Sequence, residues 1–144
     1  MTNPTALKFG YPRTLVAETD HWLVLARPQQ PTLGSLVLVC KDRAEAFSEI
    51  SAEAFADFKS VVDGVERTLR SFVAYEKINY LMLMMVDRDV HFHVIPRYAG
   101  ARQRDGRSFS DAGWPGQPAL SPAVALDDGE GERLAVDLAA LWRA

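Results

Sequence analysis

Two of the chain's three histidines fall in one run, Asp87-Arg88-Asp89-Val90-His91-Phe92-His93-Val94-Ile95-Pro96-Arg97-Tyr98. From Asp89 to Val94 the residues alternate polar and apolar, the period of a strand whose successive side chains point to opposite faces. Asp89, His91 and His93 then share one face, while Val90, Phe92 and Val94 anchor the other in a core. Same-face neighbours on a strand lie roughly 6 to 7 Å apart, close enough for the three ionisable groups to feel one another and to grip one small anionic or metal-bound centre. A neutral imidazole is a nucleophile towards phosphorus, because its ordinary pKa of about 6.5 leaves it largely unprotonated at neutral pH. A carboxylate beside it either orients the ring through one nitrogen or holds a proton on it. The same Asp-x-His-x-His pattern also suits three ligands to zinc or another divalent ion, so a metal-dependent hydrolase stays open as an alternative.

The elements that must position this run are legible on either side of it. Thr14 to Glu18 and Trp22 to Ala26 are β-rich and flank Thr19-Asp20-His21, which predicts a hairpin with His21 as a solvated turn residue. A loop from Arg27 to Gly34 leads to a central apolar strand, Ser35 to Lys41. Glu45 to Ile50 is a short helical turn, and Ser51 is an N-cap with Glu53 in the first turn. The spacing of Phe55, Phe58, Val62, Val65, Leu69 and Phe72 predicts a helix of about 20 to 25 residues with one apolar stripe. Gly64 within it points to a close approach of the helix to the sheet. Lys77 to Val86 reads as a strand too apolar on both faces to lie at an edge, turned by Asp87-Arg88 into the histidine strand as its antiparallel neighbour. Asn79, the polar side chain inside it, either lines a pocket or is a satisfied structural amide. Arg102, Arg104 and Arg107 belong to an exposed charged loop, and Glu132 to Trp142 is a short amphipathic helix that docks on the body.

With 144 residues, 48% hydrophobic and 24% charged, the chain is sized for one domain. A formal net charge of −3 offers no basic field for a phosphate backbone, so nucleic acid is not expected as a partner. The single cysteine, Cys40, cannot form an intrachain disulfide and reads as a small buried hydrophobe in a reduced, cytoplasmic setting. Met1 to Asp20 lacks the apolar centre of a signal peptide, and no apolar run approaches the ~20 residues that span a bilayer, so no membrane is expected.

The run His91-Phe92-His93-Val94-Ile95, followed by Pro96-Arg97, resembles the histidine triad (HIT) motif, His-x-His-x-His and two apolar residues, of nucleotide hydrolases and transferases. His91 matches the middle histidine, His93 the last, and Asp89 stands in the place of the first. The order of elements over about residues 10 to 100 is also similar to that family, with 101 to 144 as a C-terminal extension of one domain. The resemblance implies an α+β fold: an antiparallel sheet of about five strands, one long helix packed on it, and a C-terminal loop and short helix. It implies His91 as nucleophile at the α-phosphate of a nucleoside polyphosphate or phosphoramidate, as in a diadenosine polyphosphate hydrolase, through a nucleotidyl-histidine intermediate. His93 would contact phosphate and assist the leaving group, with Asp89 beside them. Asn79 and Arg97 are the candidate substrate binders. The scheme needs no metal and no cofactor, and it implies a homodimer. A non-catalytic nucleotide-binding or interaction protein on the same scaffold is a further alternative.

Overall fold

Trp22–Ala26 and Leu36–Cys40 are buried at every position, as strands covered on both faces must be. The computed structural model describes residues 3–144 and makes these two strands the middle of a five-stranded antiparallel sheet. In chain order the elements are α1 (Pro4–Lys8), β1 (Leu15–Glu18), β2 (Trp22–Ala26), β3 (Gln29–Gln30), β4 (Leu36–Cys40), α2 (Ala52–Val73), β5 (Lys77–Leu81), β6 (His91–Arg97), β7 (Arg102–Arg104), β8 (Arg107–Phe109), β9 (Val124–Ala125) and α3 (Asp128–Arg143), with a 3₁₀ turn over Phe47–Glu49. The large sheet runs β1-β2-β4-β6-β5; β3 pairs with β9, and β7 with β8. The α+β architecture expected from the sequence is the one found.

Strand alternation divides the sheet's side chains between two faces. Val24, Leu38, Phe92 and Val94 pack with Val61, Val65 and Leu69 of α2 and with Leu134 and Leu138 of α3. Leu23, Leu25, Val37 and Val39 pack on the other side with Ala6 and Phe9 from the N-terminal segment. In the register of β4 with β6, Val39 lies opposite His91 and Val37 opposite His93. Both imidazoles therefore project to the face that the long helix does not cover.

Three expectations shift. The residues of α2 that are fully covered are Ala54, Val61, Gly64, Val65, Thr68, Leu69 and Val73, whereas Phe55 is 45% exposed and Phe58, Val62 and Phe72 are half-buried. The stripe is thus rotated towards the smaller residues, because α3 packs against the same helix. Gly64 is explained by that neighbour rather than by the sheet: a Cβ there would lie 2.4 Å from the ring of Trp142. The run Lys77 to Val86 yields only the five residues of β5, and these form an edge. Its apolar continuation is a loop in which Met84 takes a positive φ of 53°, with Leu83, Met85 and Val86 exposed.

Ser51 caps α2 by accepting from the Ala54 N–H, as expected. The three arginines after the histidine strand are structural. Arg102 stacks 4.2 Å over the Tyr98 ring and donates to the Val73 carbonyl, while Arg104 and Arg107 pair with Asp137 and Glu130 of α3. Among the described residues no helix is long and apolar enough to cross a membrane.

Candidate active site

Strand β6 begins at His91 and not at Asp89, and this one difference reshapes the site. Asp89 sits in a bend, and its carboxylate turns away from the imidazoles to α1, where Oδ2 accepts from the Thr5 hydroxyl at 2.8 Å and from the Thr5 N–H at 3.3 Å. The expected row of three side chains on one strand face is therefore two. The main chain supplies the contact that the carboxylate does not: the Asp89 carbonyl lies 2.7 Å from Nδ1 of His91. A carbonyl only accepts, so this bond places a proton on Nδ1, and in the neutral ring the lone pair is then on Nε2 of His91.

His93 has the opposite tautomer. Nε of Arg27 donates to its Nδ1 at 3.4 Å, so the neutral ring carries its proton on Nε2. Burial, reinforced by the Arg27 charge and by His91, pulls its pKa down to about 4, so it is neutral at pH 7. The rings stand edge to face with centroids 5.3 Å apart, and both are almost covered, at 2% and 7% exposure. Phe9 packs against them at 6.2 and 5.8 Å. One imidazole thus offers an unshared pair and its neighbour an N–H.

They line a cleft of about 400 Å³, a size in the range of small-molecule sites. Its walls come from Lys8 and Phe9, from Arg27 to Gln29 after β2, and from the loop 83 to 87. Lys8 binds both carboxylate oxygens of Asp87 across the cleft, at 3.0 and 2.9 Å. Half the lining is apolar, through Phe9, Pro28, Leu83, Met84, Met85 and Val86.

Asn79 and Arg97, read as substrate binders, do not line this cleft. Arg97 forms a buried two-pronged pair with Asp111, Nε to Oδ2 at 2.6 Å and Nη2 to Oδ1 at 3.1 Å, and also donates to Oδ1 of Asn79 and to the Gly116 carbonyl. Arg97 thus ties the 111 to 116 loop to the end of β6, and Asn79 is an acceptor for its guanidinium. Among the described residues no three His, Cys, Asp or Glu groups are placed to hold a metal ion. His21 stays at the β1–β2 turn, 3.5 Å from Asp42. Arg27 and Lys8 are the cleft residues that pattern reading misses. Arg27 was within reach, since it follows β2 and the order β2-β4-β6 brings that strand end near His93; Lys8 depends on an N-terminal segment folding back, for which no local signal exists.

No family model matches the chain, and no curated protein matches it. Solved structures do. A histidine triad protein from Bradyrhizobium japonicum superposes with a TM-score of 0.72 at 19% identity, over 96% of this chain and 94% of that one. A histidine triad (HIT) protein from Sinorhizobium meliloti gives 0.70 at 20% identity, over 96% and 93%. Diadenosine triphosphate hydrolase from Plasmodium falciparum, in complex with cyclomarin A, gives 0.65 at 10% identity, over 90% and 76%. With its five-stranded sheet, its long helix and its paired histidines at the start of β6, the chain has the fold of the histidine triad proteins.

Proposed function

We propose that the protein is a histidine triad hydrolase, a single domain that binds a nucleotide and cleaves at its α-phosphate, with His91 as nucleophile and His93 as hydrogen-bond donor. The observation that carries this reading is the opposed tautomers, an unshared pair on Nε2 of His91 beside an N–H on Nε2 of His93. His91 Nε2 attacks phosphorus and the bond from phosphorus to the leaving group breaks, its electron pair going to the leaving atom: a phosphate oxygen departs ionised, and a phosphoramidate nitrogen departs as the neutral amine after taking a proton from solvent. Water then attacks the same phosphorus, cleaves the P–N bond to His91 and releases a nucleoside monophosphate. Because His93 is neutral, it stabilises phosphoryl charge as a donor and does not deliver a full proton at pH 7. That the diadenosine triphosphate hydrolase of P. falciparum shares the fold supports the substrate class.

A homodimer in a cytoplasmic setting completes the proposal, with the edge strand β5 and the exposed Leu83, Met85 and Val86 as its material. The test is incubation with diadenosine triphosphate and with adenosine 5′-phosphoramidate, followed by product analysis and intact-protein mass spectrometry for a nucleotidyl adduct. His91→Ala should abolish both turnover and adduct. An adduct that persists in His91→Ala sinks the nucleophile assignment, and binding without turnover in the unmutated protein leaves a non-catalytic nucleotide-binding protein.

A further inference from the structure

Arg27 carries more charge than its surroundings account for. Its hydrogen bonds go to the His93 ring through Nε and to the Gln29 carbonyl through Nη1, at 3.4 and 2.7 Å, and neither partner is anionic. A guanidinium has five N–H donors in a fixed fork, so most of this one is unspent. The other cation of the cleft, Lys8, is already matched by both oxygens of Asp87. Asp87 is also the sole acid among the described residues that line the cleft. A half-buried arginine without a carboxylate, in a cleft whose remaining charges cancel, gives the cleft a net positive group suited to an anion. Its place sets a distance scale. The guanidinium touches His93, and the His93 ring centre is 5.3 Å from that of His91. An anionic group held by Arg27 therefore neighbours the phosphorus that His91 would attack, at the reach of the next phosphate in a chain.

We propose that Arg27 is the specificity-determining residue of the cleft and takes a second ionised phosphate next to the one set at His91, so that the site selects diphosphate-type ligands over monophosphates. The proposal rests on the nucleotide-binding reading above but not on turnover. It also gives the Arg27–His93 contact a second use, since one side chain fixes the tautomer of the donor imidazole and reads the substrate's charge.

Equilibrium binding tests it. By calorimetry at pH 7.5 and fixed ionic strength, the unmutated protein should bind adenosine diphosphate about 10-fold or more tighter than adenosine monophosphate, the worth of one charge-assisted hydrogen bond. Arg27→Gln should bring the two within about 3-fold of each other by weakening the diphosphate, and Arg27→Lys, which keeps the charge but not the fork, should fall between. Inorganic pyrophosphate against inorganic phosphate should show the same Arg27-dependent ratio without a nucleoside. Equal affinities in the unmutated protein overturn the proposal, as does an Arg27→Gln variant that loses both ligands alike. Should Arg27→Gln not fold, the Arg27→Lys ratio decides: an unchanged preference overturns the fork as its source. Diphosphate preference without turnover would sink the hydrolase and leave Arg27 standing. Hydrolysis without diphosphate preference would do the reverse.

Discussion

Asp89 holds α1 with its carboxylate and His91 with its carbonyl, so substitutions there separate two effects that a single loss of activity would confuse. Asp89→Ala removes the acceptor of the Thr5 hydroxyl and N–H, at 2.8 and 3.3 Å, and leaves the 2.7 Å main-chain bond to His91 in place. Hydrogen bonds to an ionised group are worth about 1.5–3 kcal/mol; with one of the two long and the site half-buried, a loss of about 2 kcal/mol is expected for Asp89→Ala. At roughly 4 °C per kcal/mol for a domain of this size, the melting temperature should drop by about 8 °C. Asp89→Asn keeps an acceptor for Thr5 and should cost about 1 kcal/mol. Thr5→Val, which removes the partner hydroxyl, should reproduce most of the alanine effect. Turnover in Asp89→Asn should stay within about threefold of the unmutated protein, while Asp89→Ala should raise KM more than it lowers kcat, because a loosened α1 carries Lys8 and Phe9 away from the cleft. Scanning calorimetry, steady-state kinetics and ¹⁵N spectra of the His91 ring check the three parts. A loss of more than about 100-fold, or 2.7 kcal/mol, for Asp89→Asn in a folded protein would refute the reasoning, since the carboxylate would then act on the imidazole.

His93 makes stability depend on pH: its folded-state pKa of about 4 lies below the ordinary 6.5, so between these values the unfolded chain binds a proton that the folded one refuses, and stability should fall as pH drops from about 6.5 to about 4. Denaturant unfolding across that window should show the slope reduced in His93→Gln. Asp111→Ala leaves Arg97 buried without its carboxylate and should cost about 3–5 kcal/mol, read as a lower denaturation midpoint. Gly64→Ala drives a methyl into the Trp142 ring; an overlap of about 1–3 kcal/mol against the roughly 1 kcal/mol gained in helix propensity should leave the variant no more stable than the unmutated protein and less stable by up to about 2 kcal/mol. Its penalty should shrink in a Trp142→Ala background, as a double-mutant cycle would show.

Much of this fold could be read because it is local. β-rich composition marks β1 and β2, a continuous apolar run marks β4, alternation marks β6, a serine cap marks the start of α2, and the three- and four-residue spacing gives that helix its length. What could not be read is what depends on distant neighbours. The apolar stripe of α2 is narrower and rotated because α3 covers Gly64, a contact between residues far apart in sequence. The stretch from Met82 to Val86 has strand composition but no second neighbour to pair with, so it leaves the sheet as loop. The two histidines were legible as a same-face pair. The fates of Asp89, Arg97 and Asn79 were not, because each is decided by a side chain elsewhere in the chain, Thr5 for the first, Asp111 for the second and Arg97 for the third.

Orientation of His91 by a peptide carbonyl separates information from chemistry at position 89. Every amino acid carries that oxygen, so the tautomer of the nucleophile does not specify which side chain stands two residues before it. Position 89 can then be spent on another task, here the anchoring of α1. A search that counts imidazoles in the motif is blind to such a site, whereas one that asks which main-chain oxygen faces Nδ1 would find it. By that measure, chains with two histidines at this spacing are better sorted by the bend ahead of the strand than by the letter that fills it.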